Sequence, residues 1–152
     1  MYFEARSEPI AGQLAVAEVT LNRVASPHYP DTICEVVLQD NSEGCQFSWW
    51  CDGKSDTPTE PQAFQRSKAL AKMMIEDGQY ISVVGDNVTH YHAQYVTPYW
   101  IDNLGYTKQV GNHIFYAKKN LSPMPRPTET ICETLPYHVY TLNTCIKYEE
   151  GL

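Results

Sequence analysis

Apolar residues take up a helical rhythm over Ile10 to Ala25 (IAGQLAVAEVTLNRVA). Leu14, Ala15, Val16, Val19, Leu21 and Val24 make a broad stripe broken by Glu18, Asn22 and Arg23. A helix is predicted there, and the phrase SPHYP ends it, because proline has no N–H with which to continue the ladder. Thr32-Ile33-Cys34-Glu35 has the spacing of a capping box and predicts a short helix through Leu38. Residues 40–58 (DNSEGCQFSWWCDGKSDTP) are rich in turn formers yet carry Phe47, Trp49 and Trp50, and a loop with that much aromatic area is expected to line something. Thr57-Pro58-Thr59-Glu60 marks another helix start. Phe64, Ala71, Met74 and Ile75 are its buried face and Asp77-Gly78 its stop.

Beyond Gly78 the period shortens to that of strands. Residues 80–84, 88–92 and 113–116 read as short strands between Gly and Asn turns, and TPYWIDNLGY as a compact turn or single helical turn. From Lys118 the chain is Pro-rich (LSPMPRPTE), with one more strand expected from His138 to Leu142. Residues 1–117 are therefore read as the domain and 118–152 as an appendage packed on it.

At 152 residues and 43% hydrophobic content, the chain can bury one real core. Its 11 basic against 18 acidic residues, a formal charge of −7, and the lack of a Lys/Arg cluster argue against nucleic acid as a partner. No run of about eighteen apolar residues exists, so membrane insertion is not expected. No signal peptide is visible; with Met1 so close to the first acidic residue, a leader or N-terminal helix could precede this stretch. Tyrosine is abundant, at 11 residues beside 3 Trp, and rings that stack and also hydrogen-bond suit sugar or peptide ligands. A monomer is expected.

Five cysteines suit an oxidising compartment. Cys45 and Cys51 are the favoured pair among the first three, and Cys132 with Cys145 would close a small loop in the tail, although spacing alone does not settle connectivity. CxxC pairs are absent, which disfavours a zinc ribbon.

Four phrases in series, YFEARSEPIAGQLAVAEVTLNRV, TICEVV, CQFSWWCDG and THYHAQYVTPYW followed by GNHIFY, resemble the SleB/CwlJ-type cell wall hydrolases over roughly residues 2–117. The resemblance implies an α+β fold: a small, helix-rich, loosely lysozyme-like domain with a short antiparallel sheet flanking the cleft. It also implies cleavage of peptidoglycan glycan strands between N-acetylmuramic acid and N-acetylglucosamine, as a lytic transglycosylase. On that likeness Glu4 is the catalytic glutamate; Ser7 stands where the family phrase usually carries glycine. The implied location is the cell envelope, periplasmic or extracellular, or release as a phage-type lysin.

Glycosidic cleavage needs an acid that stays protonated near neutral pH, and apolar surroundings raise a carboxyl pKa by disfavouring its charged form. Tyr2, Phe3 and the loop at 47–50 could supply such surroundings for Glu4. A two-carboxylate hydrolase would need a partner about 5 to 10 Å away. Glu8, Asp52 and Asp56 are available, but none is singled out, which favours a single acid that gives and then recovers one proton.

Gln46 and Ser48 are expected to hydrogen-bond sugar groups. Phe47 and Trp49 either offer ring faces to a pyranose or plug the core beneath the loop. His90 and His92 share a strand face. They are read as hydrogen-bonding to substrate or to site residues, with structural histidines and a zinc site completed by His113 or a cysteine as alternatives; no metal or cofactor is expected. Tyr91, pointing oppositely, is read as core. Tyr99 could border the cleft, and Asn22 and Arg23 are read as ties from helix to loop. A thiol peptidase using Cys45 or Cys51 with a histidine base is the rival enzyme class. A non-catalytic glycan-binding module is the third reading.

Overall fold

The computed structural model describes residues 1–119 apart from Glu43 and Gly78; the tail strand and the Cys132–Cys145 pair lie outside the described residues. Four helices, α1 (Tyr2–Ala5), α2 (Ile10–Ala25), α3 (Ile33–Val37) and α4 (Pro61–Ile75), precede a three-stranded antiparallel sheet. Its strands are β3 (Val88–Ala93), β4 (Leu104–Val110) and β5 (His113–Lys118), in the order β3-β5-β4. A two-residue ladder, β1 (Asp40–Asn41) with β2 (Gly44–Cys45), closes the start of the aromatic loop. The class is α+β.

Helix α2 is the axis of the domain, buried from Gly12 to Val24. Leu14, Ala17, Leu21 and Val24 pack with Ile33, Val36 and Val37 of α3, Ala71 and Met74 of α4, and Phe47 and Trp49 of the loop. Its other side, Ala15, Val16 and Val19, packs against Val84, Val88 and Phe115. A helix apolar nearly all round belongs in a core, and here helices cover one side and the sheet the other.

The three polar breaks in the α2 stripe form one buried edge facing the chain at 80–89. Glu18 is 0% exposed. Its carboxylate accepts from Val83 N at 2.6 Å, Val84 N at 2.8 Å, Gly85 N at 3.1 Å, Ser82 Oγ at 2.7 Å and Tyr80 Oη at 3.2 Å. Asn22 donates from Nδ2 to the carbonyls of Gly85 and Val88, both at 2.8 Å, and Arg23 Nε donates to Thr89 O at 2.8 Å. The strand expected at 80–84 does not form. Its N–H groups are spent on a carboxylate instead of a neighbouring strand, so period-two apolarity there reflects packing of a pinned loop.

Thr32 caps α3 as predicted: its hydroxyl accepts from Glu35 N at 3.3 Å and donates to the Glu35 carboxylate at 2.7 Å. α4 begins later than expected, with Pro61 in its first turn. A short 3-10 turn at Ile101–Asn103 fulfils the compact-turn reading, but strand β4, which follows it directly, was not anticipated. β4 is an edge strand exposed from Tyr106 to Gln109, so its sequence carries no apolar alternation to betray it.

The β4–β5 turn is gripped by Glu8, whose carboxylate accepts from Asn112 N at 2.8 Å and Asn112 Nδ2 at 3.2 Å. Gly111 sits at φ 58°, and a Cβ there would lie 2.0 Å from Glu8 Oε2, so glycine is required on both counts.

Glu18→Gln keeps the shape but aims an amide N–H₂ at several backbone donors. Leaving buried donors without an acceptor costs about 1–3 kcal/mol each, so a total loss of about 2–4 kcal/mol is expected in denaturant unfolding. A loss within experimental error would refute the anchoring role.

Candidate functional site

Glu4 lies on a single-turn helix, too short to hold itself, and its neighbours supply the support. Tyr2 is buried, and its hydroxyl accepts from Thr59 N at 3.1 Å and Glu60 N at 3.0 Å, just ahead of α4. The Arg6 guanidinium lies 4.9 Å over the Tyr2 ring while its Nε bonds Glu60 Oε1 at 2.6 Å. Phe3 stacks on Trp49 with ring centroids 4.9 Å apart. Ala5 enters the sheet-side core. With its neighbours committed to packing, Glu4 is half-buried and turned to β3, where Tyr91 donates its hydroxyl proton to Glu4 Oε2 at 2.7 Å.

Tyr91 was read as core, and its ring is packed against both clusters. It lies edge-on to His113 at 5.1 Å and tilted against Phe115 at 5.5 Å. Burial first, then the Glu4 charge and the hydrogen bond to it, push the phenol pKa well above its ordinary value, with Arg23 opposing. The hydroxyl therefore keeps its proton and can only donate toward the carboxylate. Sequence reasoning missed this contact. Strand alternation assigns the face of residue 91, but what its far end meets depends on where residue 4 lands.

His113 sits on the same sheet face, 8% exposed, and its Nδ1 has no partner among the described residues. Burial lowers its pKa, Glu8 and Glu4 pull it back up, and His92 pushes it down.

His90 and His92 occupy the opposite face of β3. His90 pairs with Tyr116 and His92 with Ile114 in register, and Trp100 covers both rings at 5.1 and 5.8 Å. His92 has both nitrogens engaged: Nδ1 lies 2.8 Å from the Ala93 carbonyl, and Nε2 lies 3.0 Å from the Tyr116 hydroxyl. A carbonyl can only accept, so Nδ1 carries the proton and Nε2 accepts in the neutral ring. His90 Nδ1 lies 2.9 Å from Thr89 Oγ1. Burial, then Arg23 and Lys118, lower its pKa to about 4. The imidazole trio of the zinc alternative is not assembled, because His113 faces away from the other two.

The aromatic loop reaches the site from the other side. Phe47 and Trp49 are 4% and 8% exposed and belong to the main core, so of their two readings the structure shows the core plug, with no open ring face. Trp49 nonetheless matters to the site through its stack on Phe3, the residue before Glu4. The loop also carries Gln46, half-buried, and Ser48, exposed, at the start of a 3-10 turn over Ser48–Cys51. Tyr99 is 76% exposed, next to the Trp100 that covers the histidines. The structure thus groups Glu4 with Tyr91, His113 and the 46–50 loop, and sets His90, His92 and Tyr99 apart from them.

Cys45 and Cys51 are joined in a disulfide, their Cα atoms 5.9 Å apart. A bonded sulfur offers no thiolate, which removes both nucleophiles of the thiol-peptidase reading. Neither Glu8 nor Asp52 is a free second carboxylate: Glu8 holds Asn112, and Asp52 Oδ1 accepts from Lys54 N at 2.9 Å. Asp56 has its pKa raised by burial and by the Asp52 charge. Among the described residues no helix is long and apolar enough to cross a membrane.

The Cell Wall Hydrolase family profile matches residues 7–116, a span that opens just after Glu4. The spore cortex-lytic enzyme of Oceanobacillus iheyensis is 33% identical over 115 residues, which is 76% of this chain and 38% of that protein. The spore cortex-lytic enzyme of Halalkalibacterium halodurans is 32% identical over 116 residues, 76% of this chain and 32% of that protein. The chain thus spans well under half the length of these curated relatives. Among solved structures, the catalytic domain of the germination-specific lytic transglycosylase SleB from Bacillus anthracis superposes with a TM-score of 0.56 at 32% identity, covering 76% of this chain and 85% of that one. The catalytic domain of the Bacillus cereus SleB protein gives a TM-score of 0.54 at 30% identity, covering 76% and 81%.

A folded-state pKa of about 4 for His90 lies below the unfolded value of about 6.5. Its contribution to stability is complete above pH ~6.5 and is lost as pH falls toward 4, where the unfolded chain binds the proton first. Ring NMR shifts should show His90 neutral at pH 5, and His90→Gln should flatten the fall of the melting midpoint between pH 6.5 and 4. A ring already charged at pH 5 would contradict this.

Proposed function

Since the chain belongs to the Cell Wall Hydrolase family, we propose that it cleaves the glycosidic bond between N-acetylmuramic acid and N-acetylglucosamine in peptidoglycan strands, as a lytic transglycosylase. Glu4 serves as the single acid and base. The observation that carries this reading is the setting of Glu4: a half-buried carboxylate with one oxygen held by a half-buried tyrosine and, among the described residues, no second free carboxylate grouped with it. Family resemblance assigns the same residue.

Glu4 gives its proton to the bridging oxygen as the bond to the muramic C1 breaks, which releases the glucosamine side as an alcohol. Positive charge develops at C1, where the neighbouring acetamido group can stabilise it. The sugar's own C6 hydroxyl then bonds to C1 and returns its proton to Glu4, leaving an anhydromuramic end and the enzyme in its starting state. General acid–base catalysis of this kind contributes about 10²–10⁴-fold. Gln46 and Ser48, on the loop whose Trp49 stacks on Phe3, are the polar groups we read as meeting sugar hydroxyls or acetamido groups. His90 and His92 lie on the other face of β3, with Tyr99 beside the Trp100 that covers them, and would serve a more distant part of a glycan strand. The cell envelope is the setting in which such a substrate is met.

Glu4→Gln keeps the hydrogen-bond acceptor for Tyr91 but has no proton to transfer. It should abolish release of anhydromuropeptides from purified sacculi while leaving the circular dichroism and melting midpoint near wild type. Mass spectrometry of the wild-type digest reads the products: reducing ends would mean hydrolysis by water, cut stem peptides would refute glycan cleavage, and binding without soluble products would mean a glycan-binding module.

A further inference from the structure

We propose that Tyr91 is a positioning residue for Glu4: by donating its hydroxyl proton to Oε2, it leaves Oε1 as the carboxyl oxygen that carries and recovers the transferred proton. The inference rests on Glu4 being the acid and base. It adds which of the two oxygens does the work and what makes them unequal.

Among the described residues, Glu4 accepts no other hydrogen bond than the one from Tyr91, 2.7 Å from Oε2. Tyr91 cannot swing away, since its ring is wedged edge-on against His113 and against Phe115, which is fully buried at the centre of the sheet. Its proton cannot leave either, because loss would place a phenolate in the core beside a carboxylate. A hydroxyl so fixed donates in one direction only. In the neutral acid, Oε2 is then the carbonyl-type acceptor and the acidic proton resides on Oε1. After transfer, the same hydrogen bond stabilises the carboxylate while Oε1 waits for the C6 hydroxyl proton. Only the proton on Oε1 is exchanged; the Tyr91 proton stays on its oxygen throughout.

Other charged or titrating groups also face this carboxyl. The Met1 amine, at the cap of the same helix, has its pKa lowered to about 6 by burial, against the opposing pull of the Glu4 charge. His113 of β5 and the Glu8 carboxylate lie beyond Tyr91, and the Arg23 guanidinium of α2 acts on Tyr91 from the far side. All of these are the same in a Tyr91 variant, so a comparison with wild type isolates the hydroxyl.

The experiment is steady-state cleavage of solubilised glycan strands across pH by wild type, Tyr91→Phe and Glu4→Gln. Phenylalanine keeps the ring wedge and loses only the donor. With Oε1 and Oε2 made equivalent, kcat should fall about 10- to 100-fold with KM within twofold. A hydrogen bond to a carboxylate favours its charged form, so its loss should move the alkaline limb of the profile to higher pH. A structural role alone would lower the melting midpoint without moving that limb. Replacing Tyr91 with a ring-difluorinated tyrosine, a stronger donor of nearly the same size, should move the limb down, and this holds as a test even if Tyr91→Phe folds poorly. Unmoved limbs in the variants that fold overturn the proposal. An inactive Glu4→Gln beside a wild-type Tyr91→Phe would overturn positioning alone, whereas an active Glu4→Gln would overturn the acid/base reading beneath it.

Discussion

The polar edge of α2 is the constraint on which the rest of the molecule depends. A helix buried nearly from end to end must satisfy each polar group it takes inside. Glu18, Asn22 and the Arg23 Nε do so by binding one continuous stretch, from Tyr80 to Thr89, while Arg23 Nη1 and Gln13 Oε1 find no hydrogen-bond partner among the described residues. That stretch leads directly into β3. Fixing it against α2 therefore fixes where β3 starts, which face it turns inward, and so where the Tyr91 hydroxyl ends. The distance from Tyr91 to Glu4 is thus set in part by contacts that involve neither residue.

The end of the domain that carries Glu4 is supported from the other side by aromatic packing. α1 has four residues and no side-chain cap, and its position comes from Tyr2 against the start of α4 and Phe3 against Trp49. The Cys45–Cys51 bridge ties the strand before the 3-10 turn to the end of that turn, bracketing Trp49 between fixed points. Two independent supports thus meet at one carboxyl group, one covalently braced and one hydrogen-bonded. Such duplication suits the acid role proposed for Glu4, in which small displacements are costly.

Much of this was legible in the sequence wherever a residue's role is local. The α2 stripe, the Thr32 cap and the strands β3 and β5 are local patterns, and each formed where its pattern stands. The 80–84 segment misled because its apolar alternation is genuine while its backbone donors go to a glutamate more than sixty positions earlier. β4 escaped notice because an exposed edge strand has no buried face to write into its residues. The same rule divides the candidate site. Glu4 is marked by its phrase and Gln46 and Ser48 by theirs. The separation of His90 and His92 from Glu4, the burial of Phe47 and Trp49, and the hydroxyl contact of Tyr91 emerge only from tertiary placement.

The grip of Glu8 on Asn112 joins positions 104 apart in the chain. During synthesis the first of these leaves the ribosome long before the second exists, and a contact of such long range closes late. Until β5 is made, nothing holds the segment just after α1 against the sheet, and Tyr91 lacks the strand that wedges its ring. Under the role proposed for Glu4, its carboxyl therefore gains a fixed hydroxyl donor only once the chain through β5 has been made.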